Sequence, residues 1–145
     1  MAELVTLEPL RLGGICDTVP FDARLQLIPD LFAQLDVAIG RAGFFFVGPQ
    51  TALYRLDGDQ MEVRIGVPLD QPLPGFEMFE APGGQALCHT MRGGFDQLPG
   101  IYQALTGEVS RRGLARGTWS REVYRQVAKD VNLNVVDIYM DVTGT

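Results

Sequence analysis

The chain nearly repeats itself. Sliding it by 70 residues sets Ile28 to Arg55 on Leu98 to Arg125 without a gap, so that Pro29/Pro99, Leu35/Leu105, Arg41/Arg111, Gly43/Gly113, Tyr54/Tyr124 and Arg55/Arg125 coincide. With small length changes the match extends outward. Cys16 and Thr18 fall on Cys88 and Thr90, Phe21-Asp22 on Phe95-Asp96, and residues 63–69 on 136–142. A repeat of this kind dictates architecture, because one supersecondary unit made twice buries an apolar face that a single copy leaves open. The first copy spans about residues 3–69 and the second about 75–142, joined by the linker-like Leu69 to Gly75 stretch, and both belong to one domain covering residues 1–145.

Each copy reads as strand, helix, strand, strand. In the second helix Asp96 is an N-cap candidate and Pro99 sits in the first turn, while Ile101, Tyr102, Leu105 and Val109 share one apolar face. Arg111 and Arg112 suit the C-terminal end of the helix dipole, and Gly113 supplies the left-handed residue that stops it. The first helix copies this with Leu31, Phe32, Leu35, Ala38 and Ile39 on the buried side, then Arg41 and Gly43. The Asp22 to Leu27 piece is about four residues longer than its counterpart and predicts an extra turn. Alternation puts Val63, Ile65, Val67 and Leu69 on one strand face, and Val136, Ile138, Met140 and Val142 on the equivalent one. The glycine pairs 13–14, 83–84 and 93–94 read as turn signals. The expected fold is α+β: two pseudo-twofold-related repeats forming one curved antiparallel sheet, with two main helices on one side. The sheet's other face is then wet, covered or a cleft.

Composition removes several function classes. A chain of 145 residues buries roughly two thirds of its unfolded surface, so no disulfide or metal staple is needed. With 12 Lys plus Arg against 18 Asp plus Glu the net charge is −6, which disfavours direct nucleic-acid binding through phosphates. No apolar run is long enough to span a membrane, and the start carries acids instead of a basic leader, so the expectation is a cytoplasmic protein. Cys16 and Cys88 lie far apart and read as small core residues, and with the single His89 they do not complete a metal set. Neither a metal nor a cofactor is expected, since glycine-rich phosphate loops, GxSxG elbows and metal-ligand spacings are missing from the sequence.

The second half, HTMRGGFDQLPGIYQALTGEVSRRGL followed by WSREVYR and VVDIYMDV, resembles the GyrI-like domain, the effector-binding domain of bacterial transcription activators. The shared pattern is a glycine plus aromatic before a helix, an aromatic within it, a Gly-Leu stop, a Glu-x-Tyr strand and a final "diy.Pv" strand. Asp141 stands where that pattern usually has Pro, although Pro68 occupies the equivalent place in the first half. The resemblance implies a groove between the two modules for a small hydrophobic molecule, often cationic, with Glu122 as its central acid. It implies a stand-alone form, because the repeats take up the chain and leave no room for a DNA-binding segment. Relatives that hydrolyse cyclopropane-bearing compounds imply a second reading, a metal-independent hydrolase using Glu122 and Tyr124. Relatives that inhibit gyrase imply a third, a module whose partner is gyrase or a regulator.

Residue chemistry supports a site around Glu122. In a strand from Ser120 to Arg125, Glu122 and Tyr124 share one face and Val123 takes the other. If Val123 meets the helices, Glu122 lines the groove. Its repeat partner is Ala52, as expected where one asymmetric site breaks a symmetric scaffold. A carboxylate among Trp119, Tyr124 and Tyr139 attracts a delocalised cation, with ring faces adding roughly 0.5–2 kcal/mol per contact. Desolvation there raises the carboxyl pKa, which suits binding and acid–base chemistry alike. Phe45 and His89 complete the expected ligand-binding set, with His89 read as structural or solvated in any catalytic account. The competing reading leaves Glu122 exposed and paired with Arg121, Arg125 or Arg64.

Overall fold

The computed structural model describes residues 2–43 and 48–144. Phe45, with Phe44 and Phe46 beside it, lies outside the described residues. The elements in chain order are β1 (Glu3–Leu7), β2 (Leu10–Pro20), α1 (Arg24–Ala42), β3 (Gln50–Asp57), β4 (Gln60–Pro68), β5 (Glu77–Ala81), β6 (Gly84–Arg92), α2 (Leu98–Arg111), β7 (Ala115–Gln126) and β8 (Val135–Thr143). The class is α+β, and every strand pairing described is antiparallel.

The chain forms two compact units, Met1–Glu8 with Pro82–Thr145, and Pro9–Ala81. Each sequence repeat thus gives its first strand to the other repeat's unit: β1 pairs with β6, and β5 pairs with β2. Where one opening strand per repeat was expected there are two, because Pro9 and Pro82 interrupt the extended run; proline has no amide hydrogen to continue a ladder.

In the first unit the strand order is β1-β6-β8-β7. Leu87 and Met91 of β6, together with Val136, Ile138, Met140 and Val142 of β8, form one core with Ile101, Leu105 and Val109 of α2. The period of two along the strands and the spacing of three to four along the helix bring these side chains to a single layer. Burying each large aliphatic chain contributes about 1.5–3 kcal/mol. The start of α2 differs from expectation. Asp96 is not the cap but sits in a 3-10 turn, Phe95–Gln97, that runs directly into the helix, whose N-cap Gln97 makes no side-chain capping bond. The end is as expected: Gly113 takes φ +69°, its N–H donates to the Ser110 carbonyl at 3.1 Å, and the Leu114 N–H donates to Val109 at 3.0 Å. This pair of bonds satisfies two of the carbonyls left open at a helix C-terminus.

The second unit has the order β3-β4-β2-β5. Helix α1 begins at Arg24, four residues before the counterpart of Leu98, so the expected extra turn is present and Pro29 falls inside the helix. Gly13-Gly14 is not a turn: both residues lie in the middle of β2. A Cβ on Gly14 would fall 1.9 Å from the Ile65 carbonyl oxygen, so close approach of two backbones explains this glycine.

Strand register also corrects the repeat in one place. Cys16 faces Arg64 across the β2–β4 ladder, whereas Thr90 faces Asp137, the repeat partner of Arg64. The structural counterpart of Cys16 is therefore Thr90 and that of Cys88 is Gly14, which dissolves the Cys16/Cys88 match.

Candidate functional site

Glu122 points toward α2. It stands opposite Ile138 in the β7–β8 ladder, and Tyr124 stands opposite Val136, both partners being core residues beneath the helix. Residues paired across an antiparallel ladder share a face, so Val123 takes the far side and does not meet the helix. Glu122 is only 5% exposed. From α2 the Tyr102 hydroxyl donates to Glu122 Oε2 at 2.5 Å, and from its own strand the Tyr124 hydroxyl donates to Oε1 at 2.6 Å. Two phenols thus hold one carboxylate by opposite oxygens, one from each layer of the unit.

The electrostatics follow from that geometry. Burial pushes the Glu122 carboxyl above its ordinary range, and the Tyr102 and Tyr124 hydrogen bonds pull it back. Both partners are neutral, so the carboxylate's charge is not cancelled by them. The exposed ion-pair reading does not hold. Arg121, on the other face, donates to the Pro82 carbonyl at 2.8 Å, Arg125 lies 2.5 Å from Asp137, and Arg64 lies 3.5 Å from Glu62.

The other residues expected at the site are dispersed. Tyr139 pairs with Arg121 and Cys88, which puts it on the sheet face opposite Glu122; burial pushes its phenol up to about 12. Trp119 lies within the irregular stretch of β7 between Arg116 and Ser120, and its backbone bonds the Asp141 carboxyl. His89 shares the Glu122 face but stands on β6 with Ile138 between them, two strand spacings away, about 9.6 Å. Among the described residues of the expected set, only Glu122 and Tyr124 come together.

Two residues belong to the site that sequence reasoning did not assign to it. Tyr102 falls on the apolar helix face and is the aromatic within the helix of the GyrI-like pattern, and Phe95 is the aromatic before it, but neither is assigned a place at the site by the sequence alone. The Phe95 ring lies 6.3 Å from that of Tyr124, inclined by 57°, and is 38% exposed, so it flanks the partly buried Tyr124 at the surface. The repeat did carry a signal for Tyr102. In the first half its position is Phe32 and that of Glu122 is Ala52, while Tyr54 matches Tyr124. The hydroxyl and the carboxylate that bond each other are gained together, on one copy only.

The second unit holds a groove of 840 Å³ between α1 and the Leu73 to Gly75 segment, with Arg41 and Glu77 among its lining. None of the expected site residues that are described lines it. Among the described residues no cluster of three or more His, Cys, Asp or Glu is placed to hold a metal ion, and no helix is long and apolar enough to cross a membrane.

Known structures share this fold over nearly the full chain. SAV2435 bound to tetraphenylphosphonium is 15% identical, with a TM-score of 0.79 and coverage of 99% of this chain and 94% of that one. The C-terminal domain of EcmrR is 18% identical, with a TM-score of 0.73 and coverage of 100% and 98%. A hydrolase from Listeria innocua is 10% identical, with a TM-score of 0.62 and coverage of 98% and 91%. No curated protein matches the sequence. At these identities the likeness speaks for the fold. The family is given by the sequence itself: residues 2–143 match the model of the GyrI-like small molecule binding domain, and the chain belongs to that family.

Proposed function

We propose that this domain binds a small hydrophobic cation at Glu122 and serves in sensing or sequestration. The observation that carries the reading is a buried carboxylate whose two hydrogen-bond partners are neutral phenols. A cation with an apolar surface supplies the missing charge, exchanges water for ring faces and needs no strong hydration of its own. SAV2435, which shares the fold, has been seen with tetraphenylphosphonium, a cation of this type.

The test is thermal unfolding of the wild type and Glu122→Gln with and without tetraphenylphosphonium. At 100 times the dissociation constant a ligand adds about 2.7 kcal/mol, which in a domain of this size raises the midpoint by about 5–10 °C. Stabilisation of the wild type but not of the Gln variant supports the reading. Equal responses of both proteins remove it.

A second reading, hydrolysis of a strained electrophilic ring, has support in the raised carboxyl of Glu122 and in a hydrolase of the same fold. A group ionising nearer neutrality is a better proton carrier than an ordinary carboxylate. In this reading Glu122 takes a proton from water as the water oxygen bonds to a ring carbon and the strained C–C bond breaks, and it returns that proton to the carbon released, while Tyr124 orients the substrate. Product formation from cyclopropane-bearing compounds, lost in Glu122→Gln, separates it from binding alone.

A further inference from the structure

Both oxygens of Glu122 already accept a hydrogen bond, from Tyr102 at 2.5 Å and from Tyr124 at 2.6 Å. An ionised carboxylate has further lone pairs, but with the residue 5% exposed and two phenol rings abutting it, an N–H group finds little room at hydrogen-bonding distance. The charge itself is not hidden in the same way. Coulomb attraction acts over several ångströms and strengthens as water is excluded. The site thus offers a cation its field and the neighbouring rings of Tyr102, Tyr124 and Phe95, while its acceptor atoms are engaged by the protein.

We propose that this arrangement selects for onium ions that carry no N–H donors, such as quaternary ammonium and phosphonium ions, and against primary ammonium ions of equal charge and similar bulk. This rests on the cation reading of Glu122 and names the chemical class within it. A primary ammonium has three donors and is strongly hydrated. To enter it must lose water and either leave donors unmet or break a phenol bond. An onium without donors loses neither, because charge and cation–π attraction are all it requires. Tyr102 and Tyr124 are thereby specificity-determining residues, acting by occupying the acceptor.

The experiment compares two matched probes, the primary ammonium and the trimethylammonium forms of 4-phenylbenzylamine, by titration calorimetry at pH 7.5, with tetraphenylphosphonium as reference. The wild type is expected to bind the trimethyl compound about tenfold or more tighter, a ratio to which unmet donors and the three added methyl groups both contribute, so the decisive reading is how the Phe variants change it. Tyr102→Phe frees one oxygen and is expected to narrow that ratio at least threefold, chiefly by strengthening the primary amine. Tyr124→Phe frees the other oxygen and carries the same test should Tyr102→Phe not fold, as judged by circular dichroism. A ratio near one, a preference for the primary amine, or an unchanged ratio in a folded Phe variant overturns the proposal. So does failure of the trimethyl compound where tetraphenylphosphonium binds. If tetraphenylphosphonium itself does not bind, or binds Glu122→Gln equally, the cation reading fails and this inference falls with it.

Discussion

Glu122 and Ala52 occupy equivalent rungs of two equivalent ladders, the first opposite Ile138 and the second opposite Ile65. The same backbone frame holds a carboxylate in one unit and a methyl group in the other. Around Glu122 the helix supplies Tyr102, and at the corresponding helix position of the other unit stands Phe32. A buried carboxylate is tolerated only where its acceptors are met, so the side chains at the two positions change as a pair.

Replacing Ala52, which is fully buried, by Glu tests this dependence. Ala52→Glu is expected to destabilise the protein by about 3 kcal/mol or more at neutral pH, as an uncompensated buried charge does. Phe32→Tyr added to it should recover part of the loss. Urea unfolding of the single and double variants gives the comparison, and equal stabilities would show that the phenol is not what makes a carboxylate tolerable in this frame.

The pH dependence of stability should carry the mark of Glu122. Its folded carboxyl is raised above the ordinary value of 4.5, so the folded state holds this proton more tightly than the unfolded chain. Stability from this group is complete below about 4.5 and declines as the pH rises through the folded value. The melting temperature of Glu122→Gln relative to wild type is therefore expected to increase between pH 4.5 and pH 8. A difference that stays flat, or falls, across that interval contradicts the sign.

Leu105 tests the core of the first unit. It is 1% exposed and packs in the cluster with Ile138 and Met140. Leu105→Ala should cost about 2–5 kcal/mol from lost burial and the cavity left behind. Chemical denaturation with an unchanged m-value would confirm that the native state alone is affected.

Gly113 tests the helix stop. Its φ of +69° is open to glycine and strained for other residues, and no atom outside its chain neighbours lies within 4 Å of an added Cβ. Gly113→Ala should then cost about 1–2 kcal/mol from backbone conformation alone. A much larger loss in thermal unfolding would mean that α2 itself had shifted.

Much of this fold is legible in the sequence. The repeat located both helices, the α2 stop and the strand faces around Ile65 and Ile138, because helix periodicity, the left-handed glycine and strand alternation are local properties of the chain. Glu122 and Tyr124 were paired on one face for the same reason. Which face that was could not be read locally. It followed from the β7–β8 register, and that register turned Glu122 toward α2 and Tyr139 away from it.

The sequence by itself determined two strand-and-helix repeats and an asymmetry in charge between them, since propensity, periodicity and residue identity all act within a few neighbours. Tertiary structure decided the exchange of β1 and β5 between the units and the separation of His89 from Glu122. It also decided the meeting of Tyr102 with Glu122 across 20 residues of chain. Those features depend on ladder register and on the seating of a helix on its sheet, which are selected by the combined burial of many side chains and are not encoded at any one of them.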